Sequence, residues 1–450
     1  MVLPRGLRSD ALADERSWPL PTPHLGELAG RGLRLVLTAA GGADPGAMTS
    51  VLTGLHPRQH GGRDDGIAGY TGLALPGWLR EAGYHVAGVG ELGAVAEQFD
   101  DARLTAGVDV DEPAADRCWY AAASRARGHA PALAQQRRQR RRSGPLTPDR
   151  LLLEPDEDLD GFITQLAEDT LADLPTDRPW ALFVGFSGPG NELPPPVGYE
   201  AVVNVRGLAR GFAPADPASL DAVARPGLPR SVLQRLEPHQ VARLRADYLG
   251  RVSLIDHGVG RLDAALAARA DAGRSWTVVA SDRGRMLGEH GLIGGQTGFA
   301  PALEVPLVVA GPPAPAGAEP VRAGTADARD AAPPSFPEGL FGTVDVAPTV
   351  AALAGADVPP RCPGRSLLGL FNGDELPPGP AANLSEAADR LTVETERFKA
   401  TFRVTDRVCL NLFDIARDPD ERENLVDTPA GKARAAAMMH TLAEALLPLR

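Results

Sequence analysis

Short apolar runs separated by longer amphipathic stretches constrain the fold of this chain most strongly. The runs are residues 33–37, 180–186, 276–280 and 305–309. Runs this short and nearly continuous are typical of strands buried on both faces, as in parallel sheets covered by helices. Between the second and the third run, apolar residues recur at spacings of four and three: Tyr248, Val252, Ile255, Val259, Leu262 and Leu266. This spacing indicates a helix with one apolar face, so the whole pattern predicts a largely parallel α/β sheet.

The last part of the chain has a different pattern. A segment rich in proline, residues 377–380, indicates a boundary. Short apolar segments and one amphipathic segment follow it, at residues 391–394, 398–404, 408–413 and 432–447. They predict a small antiparallel sheet and a closing helix. We therefore predict a large α/β domain over residues 1–376 and a small C-terminal subdomain over residues 377–450.

Composition argues against several classes of partner and site. The net charge of −12 does not favour a nucleic acid as the partner. No window approaches the ~18 consecutive apolar residues of a membrane span, so we expect no membrane partner. The cysteines Cys118, Cys362 and Cys409 are far apart, which argues against a disulfide scaffold and against a clustered zinc site.

Two local segments bear on the location and the partner of the protein. The N-terminal residues MVLPRGLRSD contain no apolar signal core, so the expected location is cytoplasmic. Residues 137–142, RRQRRR, form the densest basic run of the chain. A solvated loop or helix end is the plainer interpretation of this run, and a local site for an anionic partner is the alternative.

Longer motifs follow one another along the chain. They are TPHLGELAGRGLRL (22–35), ADPGAMTSVLTG (43–54), LREAGYHVAGVG (79–90), SDRGRMLGEHGLIGGQTGFAPALEVP (281–306), VDVAPTVAALAG (344–355), PGRSLL (363–368) and FDIARDPDERENL (413–425). In this order they resemble the motifs of the sulfatase family of the alkaline phosphatase superfamily. The resemblance implies a large mixed, mostly parallel sheet sandwiched by helices, and a small C-terminal α+β subdomain.

The resemblance also implies a chemistry. Sulfatases hydrolyse sulfate esters through a covalent intermediate on a formylglycine that is made from Cys or Ser. Related enzymes act on phosphate and phosphonate esters. A divalent cation, usually Ca²⁺, is held by carboxylate and amide oxygens and polarises the ester. Lys, Arg and His side chains complete the clamp on the developing negative charge.

The position that matches the family's nucleophile carries a different residue here. Alignment back from Thr53 and Gly54 places Asp44 at the Cys or Ser position and Met48 at an Arg position. Asp44 could act as a carboxylate nucleophile. The plainer interpretation is a helix cap, since Asp44 is followed by Pro45, a favourable first helical residue.

The positions that match metal ligands have changed as well. Arg5 and Gly6 stand where the family has its first pair of Asp residues. Asp282 matches a retained ligand, but Arg283 stands at the neighbouring ligand position. A guanidinium has no lone pair to offer a cation, so we expect no metal cofactor.

The oxyanion clamp is altered at each matching position. Glu91 and Gly295 stand where the family has Lys, and Gly190 replaces the sulfate-binding His. His290 is retained within GEHG, and we interpret it as a packed loop residue rather than a general acid.

The substitutions complement one another in charge. Arginines occupy lost acidic positions, and acids occupy lost neutral or basic ones. We therefore hypothesise an ion-pair cluster that closes the old pocket, formed by Arg5, Asp44, Glu91, Asp282 and Arg283. The alternative is that these charges point separately to solvent.

These losses favour one function over another. The sequence predicts a sulfatase-like protein that is non-catalytic, a pseudoenzyme, whose partner is an active relative or another copy of itself. The alternative is a divergent sulfate- or phosphate-ester hydrolase with a rearranged site.

Overall fold

The structure is a computed structural model. It describes residues 1–12, 18, 20, 22–41, 46–61, 70, 72–105, 118–143, 153–191, 193–200, 208, 237–295, 297–312, 339–374, 376, 379–387 and 389–449.

The described strands are short, and most belong to one of two sheets. In chain order they are β1 (Val2–Arg5), β2 (Gly32–Thr38), β3 (His85–Gly90), β4 (Asp101–Leu104), β5 (Trp180–Pro189), β6 (Thr277–Ala280), β7 (Met286–Leu287), β8 (Ile293–Gly294), β9 (Glu304–Ala310), β10 (Asn383–Ala387), β11 (Arg390–Glu394), β12 (Phe398–Arg403) and β13 (Cys409–Asp414).

The described helices alternate with these strands over most of the chain. They are α1 (Pro23–Gly30), α2 (Gly46–Thr53), α3 (Pro57–His60), α4 (Leu75–Glu81), α5 (Trp119–Ala126), α6 (Ala130–Ser143), α7 (Leu159–Asp173), α8 (Pro238–Ala267), α9 (Ala300–Leu303), α10 (Val346–Ala354), α11 (Leu368–Asn372) and α12 (Pro429–Leu446).

The main sheet has seven strands in the order β2-β9-β6-β1-β5-β3-β4. Strand β9 runs antiparallel to β2 and β6, and the remaining neighbours are parallel. The predicted mixed, mostly parallel sheet is therefore confirmed. The apolar runs predicted as strands correspond to β2, β5, β6 and β9.

Two apolar layers cover the faces of this sheet. Alternate residues of one strand point to opposite layers: Val308 packs with α7 and α8, whereas Leu307 packs with α2, α4 and α10. The predicted amphipathic helix is α8, and its buried face includes Tyr248 and Ile255. Because both faces are buried, the strands read as continuous apolar runs rather than as alternating ones.

Strand β3 was not identified from its sequence, HVAGVG, because glycine is depleted in strands. The structure supplies the reason for its glycine at position 88. A Cβ on Gly88 would lie 2.6 Å from the Phe99 ring, so the ring packs directly on the backbone.

The C-terminal sheet has the antiparallel order β10-β11-β12-β13, and helix α12 packs on it. Val393, Ala400 and Leu412 form its apolar side with Met438 and Leu442 of the helix. Strands β11 to β13 and the closing helix confirm the predicted subdomain, whereas β10 was not predicted. The proposed boundary at residue 377 lies outside the described residues and stays a prediction.

The basic run at residues 137–142 lies in the second half of α6. None of the helices that the structure describes combines the length and the apolar composition needed to cross a membrane.

We predict that Leu307→Ala lowers the free energy of unfolding by about 2–5 kcal/mol, because Leu307 is 0% exposed and truncation leaves a cavity. The matched control is Leu447→Ala, since Leu447 is 57% exposed and should change stability by less than about 0.5 kcal/mol. Urea unfolding of both variants measures the difference. Equal effects would contradict the assignment of Leu307 to the core.

Candidate active site

The predicted site residues lie at the carboxyl ends of parallel strands. Arg5 ends β1, Glu91 follows β3, Gly190 follows β5 and Asp282 follows β6. These strand ends meet at one edge of the sheet, which is where open α/β sheets bind ligands.

Asp282 is the centre of this edge, and its side chain is fully buried. Its Oδ1 accepts a hydrogen bond from the backbone N–H of Gly6 at 3.0 Å. Its Oδ2 lies 3.7 Å from Nε of Arg5 and 3.5 Å from Nη1 of Arg283. One buried carboxylate thus faces two guanidinium groups.

Arg5 also bridges to the neighbouring strand. Its Nη1 donates a hydrogen bond to Oε2 of Glu91 at 2.9 Å. The structure therefore brings together Arg5, Glu91, Asp282 and Arg283 of the hypothesised cluster, and these charges do not point separately to solvent. Asp44 lies in residues 42–45, which are outside the described part of the chain, so its capping or catalytic role stays a prediction.

The two glycines at former side-chain positions contact each other through backbone. Gly6 has a φ of +76°, and a Cβ there would lie 2.7 Å from Cα of Gly190. The N–H of Gly190 donates to the carbonyl of Arg5 at 2.8 Å. The carbonyl of Gly190 accepts from Nη1 of Arg285 at 2.6 Å. Neither position has room for the Asp or His side chain that the family pattern places there.

A similar relation joins Gly295 and Arg283. A Cβ on Gly295 would lie 3.1 Å from Cδ and 3.2 Å from Nε of Arg283. The Arg283 side chain therefore packs over the residue that replaces a clamp Lys. The Arg283 side chain thus occupies the space that a side chain at position 295 would need.

Helix α2, which matches the nucleophile helix, is buried along its whole length. Met48 is 3% exposed and belongs to the apolar core beneath the sheet. Oγ of Ser50 lies 3.0 Å from Nε2 of His60, and burial lowers the pKa of His60 to about 4. This pairing was not predicted. Ser50 has 0% exposure, so its hydroxyl supports packing and does not face a substrate.

His290 has a left-handed backbone, with φ of 51°, in the GEHG turn. Its ring stacks on Phe299, with 4.1 Å between ring centroids and 15° between planes. Burial lowers the pKa of His290. Its neighbour Glu289 accepts a hydrogen bond from Nη1 of Arg8 at 2.8 Å and lies 3.4 Å from Nη2 of Arg245.

A second buried ion-pair network supports the C-terminal end of β5. Both carboxylate oxygens of Asp158 accept from Arg251 at 2.6 Å. Asp160 accepts from the backbone N–H groups of Ser187 and Gly188 at 2.8 and 3.1 Å. Burial raises the pKa of Asp160 above its usual range. Sequence analysis missed this network, because only the fold brings Arg251 to these carboxylates.

The donor set does not fit the divalent cation that the family pattern implies. Within the described ranges, no group of three or more His, Cys, Asp or Glu side chains is arranged to hold a metal ion. Asp282 offers one carboxylate, but Arg5 and Arg283 lie beside it, and guanidinium groups cannot coordinate a cation.

The fold and the arrangement at this strand edge define an alkaline-phosphatase-like α/β protein. The sequence profile described as Sulfatase matches residues 9–356, and the chain belongs to the sulfatase family.

Similar proteins include two sulfatases. The chain is 31% identical to the choline-sulfatase of Rhizobium meliloti (strain 1021) over 204 residues, 44% of this chain and 36% of that protein. It is 36% identical to the human (Homo sapiens) iduronate 2-sulfatase over 131 residues, 27% of this chain and 24% of that enzyme. The chain thus matches about a third or less of the length of these two relatives.

Similar solved structures cover nearly the whole chain. The phosphonate monoester hydrolase of Agrobacterium radiobacter has a TM-score of 0.77 at 19% identity, covering 99% of this chain and 95% of that one. The phosphonate monoester hydrolase of Silicibacter pomeroyi has a TM-score of 0.72 at 18% identity, covering 100% and 95%. At these identities the likeness shows the fold.

We predict that Asp282→Ala lowers the free energy of unfolding by about 3–5 kcal/mol, because the fully buried carboxylate accepts the Gly6 N–H and compensates the charge of the two guanidinium groups beside it. The control is Asp420→Ala, since Asp420 pairs with Arg422 at the surface with its side chain 67% exposed. That variant should change stability by less than about 1 kcal/mol. Urea unfolding at constant ionic strength compares them, and equal effects would exclude a structural role for Asp282.

Proposed function

We propose that this protein is a non-catalytic member of the sulfatase family. The observation that carries the proposal is the contact of Asp282 with the guanidinium groups of Arg5 and Arg283. A hydrolase of this family needs a cation at this position to polarise the ester and to stabilise the developing charge. Two guanidinium groups at 3.7 and 3.5 Å compensate the charge of the carboxylate instead, and their positive charges oppose the approach of a cation.

The backbone contact between Gly6 and Gly190 supports the same proposal. It closes the space in which a metal-ligating carboxylate and a sulfate-binding imidazole would project. Restoration of activity would therefore need movement of the backbone as well as exchange of side chains. A non-catalytic protein acts by binding through its surface. We therefore propose that its partner is an active relative or another copy of the chain, and that it holds no metal cofactor.

The alternative function is a divergent hydrolase of sulfate or phosphate esters. Metal content distinguishes the two functions. We predict that protein purified in Ca²⁺ and desalted retains substoichiometric calcium, and that neither Ca²⁺ nor a chelator moves its Tm. Stoichiometric bound calcium, together with turnover of an aryl sulfate or an aryl phosphonate that Asp282→Ala abolishes, would overturn the proposal.

A designed variant tests whether the guanidinium groups of Arg5 and Arg283 exclude the cation. We predict that the double variant Arg5→Asp and Arg283→Asn gains a Ca²⁺-dependent rise in Tm, because it replaces both guanidinium groups near Asp282 with oxygen ligands. The matched control is Arg422→Asp, whose guanidinium lies at the surface. If the double variant folds and Ca²⁺ has no effect on it, the guanidinium groups are not what excludes the cation.

A further inference from the structure

A buried lysine joins the C-terminal sheet to the main domain. Lys399 of β12 is 2% exposed. Its Nζ lies 3.0 Å from Oε2 of Glu394 and 2.8 Å from Oε1 of Glu421. An ammonium this deeply buried requires close counter-charges, because desolvation of an unpaired charge costs several kcal/mol.

Both carboxylates also bind the main domain. Oε1 of Glu394 accepts a hydrogen bond from Oγ1 of Thr38 at 3.1 Å, where β2 ends. Oε2 of Glu421 accepts from the backbone N–H of Ala300 at 2.7 Å, where α9 begins. Each carboxylate thus links Lys399 to an element on the far side of the interface.

A third carboxylate stands at the same interface. Glu304 begins β9 and pairs in register with Thr38, the residue that binds Glu394. Among the described residues, none donates a hydrogen bond to the Glu304 carboxylate, although Lys399 attracts it electrostatically. Glu394, Glu421 and Asp10 oppose its ionisation.

We propose that this interface is a proton-sensitive coupling between the C-terminal sheet and the main domain. With Glu304 neutral, one ammonium balances two carboxylates and holds the two parts together. When Glu304 ionises, its negative charge adds to those of Glu394 and Glu421 at this interface, and the contact becomes weaker.

The direction of the effect follows from the titration of Glu304. Burial raises the pKa of Glu304 from 4.5 to about 7 when the interface is closed. An opened interface returns the group to its ordinary value, so the closed form binds the extra proton between these limits. The coupling is strongest at acidic pH, weakens as pH rises to about 7, and changes no further above that.

One nearby group acts in the opposite direction. His290 stacks on Phe299 and is attracted electrostatically by Glu421, and burial lowers its pKa. Its neutral form fits the closed interface, so His290 makes the contact stronger as pH rises towards 6.5. Asp10 is held by Arg8, which also binds Glu289. A test must therefore separate Glu304 from His290.

Hydrogen exchange of the β10–β13 amides tests the proposal. After correction for intrinsic rates, we expect protection in the His290→Gln protein to fall by up to tenfold per pH unit between about 5 and 7, the limit for one proton, and to stay constant above. The wild type should show the same fall, reduced below pH 6.5 by His290. Glu304→Gln should remove the fall, whereas the control Glu396→Gln, an exposed residue before β12, should keep it.

Two results would overturn the proposal. One is protection of the C-terminal sheet that does not change with pH in the His290→Gln protein. The other is a fall that Glu304→Gln leaves intact. If Glu304→Gln fails to fold, the His290→Gln protein alone decides, because the proposal requires a change confined to the C-terminal sheet and its contacts. An equal change in the main sheet contradicts it. The outcome is independent of the calcium measurements that test the proposed function.

Discussion

The contact between the buried carboxylate of Asp282 and two guanidinium groups is the interaction on which the arrangement of this strand edge depends. A buried carboxylate without compensation is too costly to keep ionised. In the family pattern a divalent cation compensates it, whereas here Arg5 and Arg283 lie 3.7 and 3.5 Å away. The same Arg5 side chain holds Glu91 of the neighbouring strand end, so this contact links β1, β3 and β6.

The glycines at the other substituted positions of this edge make room for that contact. Gly6 and Gly190 allow their backbones to approach closely, and Gly295 leaves room for the Arg283 side chain. Together these residues form a packed and charge-compensated arrangement at the strand ends. The Arg251 network and the buried helix α2 add further packed contacts to the main domain.

A second charged site joins the two sheets through Lys399. Both sites pair carboxylates with cationic side chains, but their composition differs. At Asp282 the two guanidinium groups are matched by the carboxylates of Asp282 and Glu91, and guanidinium groups stay charged at any physiological pH. At Lys399 the carboxylates are in excess, so the balance there depends on protons.

The sequence by itself determined the fold class and the family, because apolar runs and motifs are local patterns that a linear reading detects. Strand β9 was predicted close to its observed bounds, and the predicted helical residues 248–266 lie within α8, which begins ten residues earlier. Arg5, Glu91 and Arg283 were predicted as substituted site positions. Only the tertiary structure decided which side chains meet. The contacts of Arg251 with Asp158, 93 residues earlier, and of Ser50 with His60 depend on the path of the chain. The structure also explains the glycine at position 88 in β3 and the contact between Gly6 and Gly190, because it shows which atoms lie against them. The sequence could not, since a close approach of two backbones leaves no periodic pattern of residues.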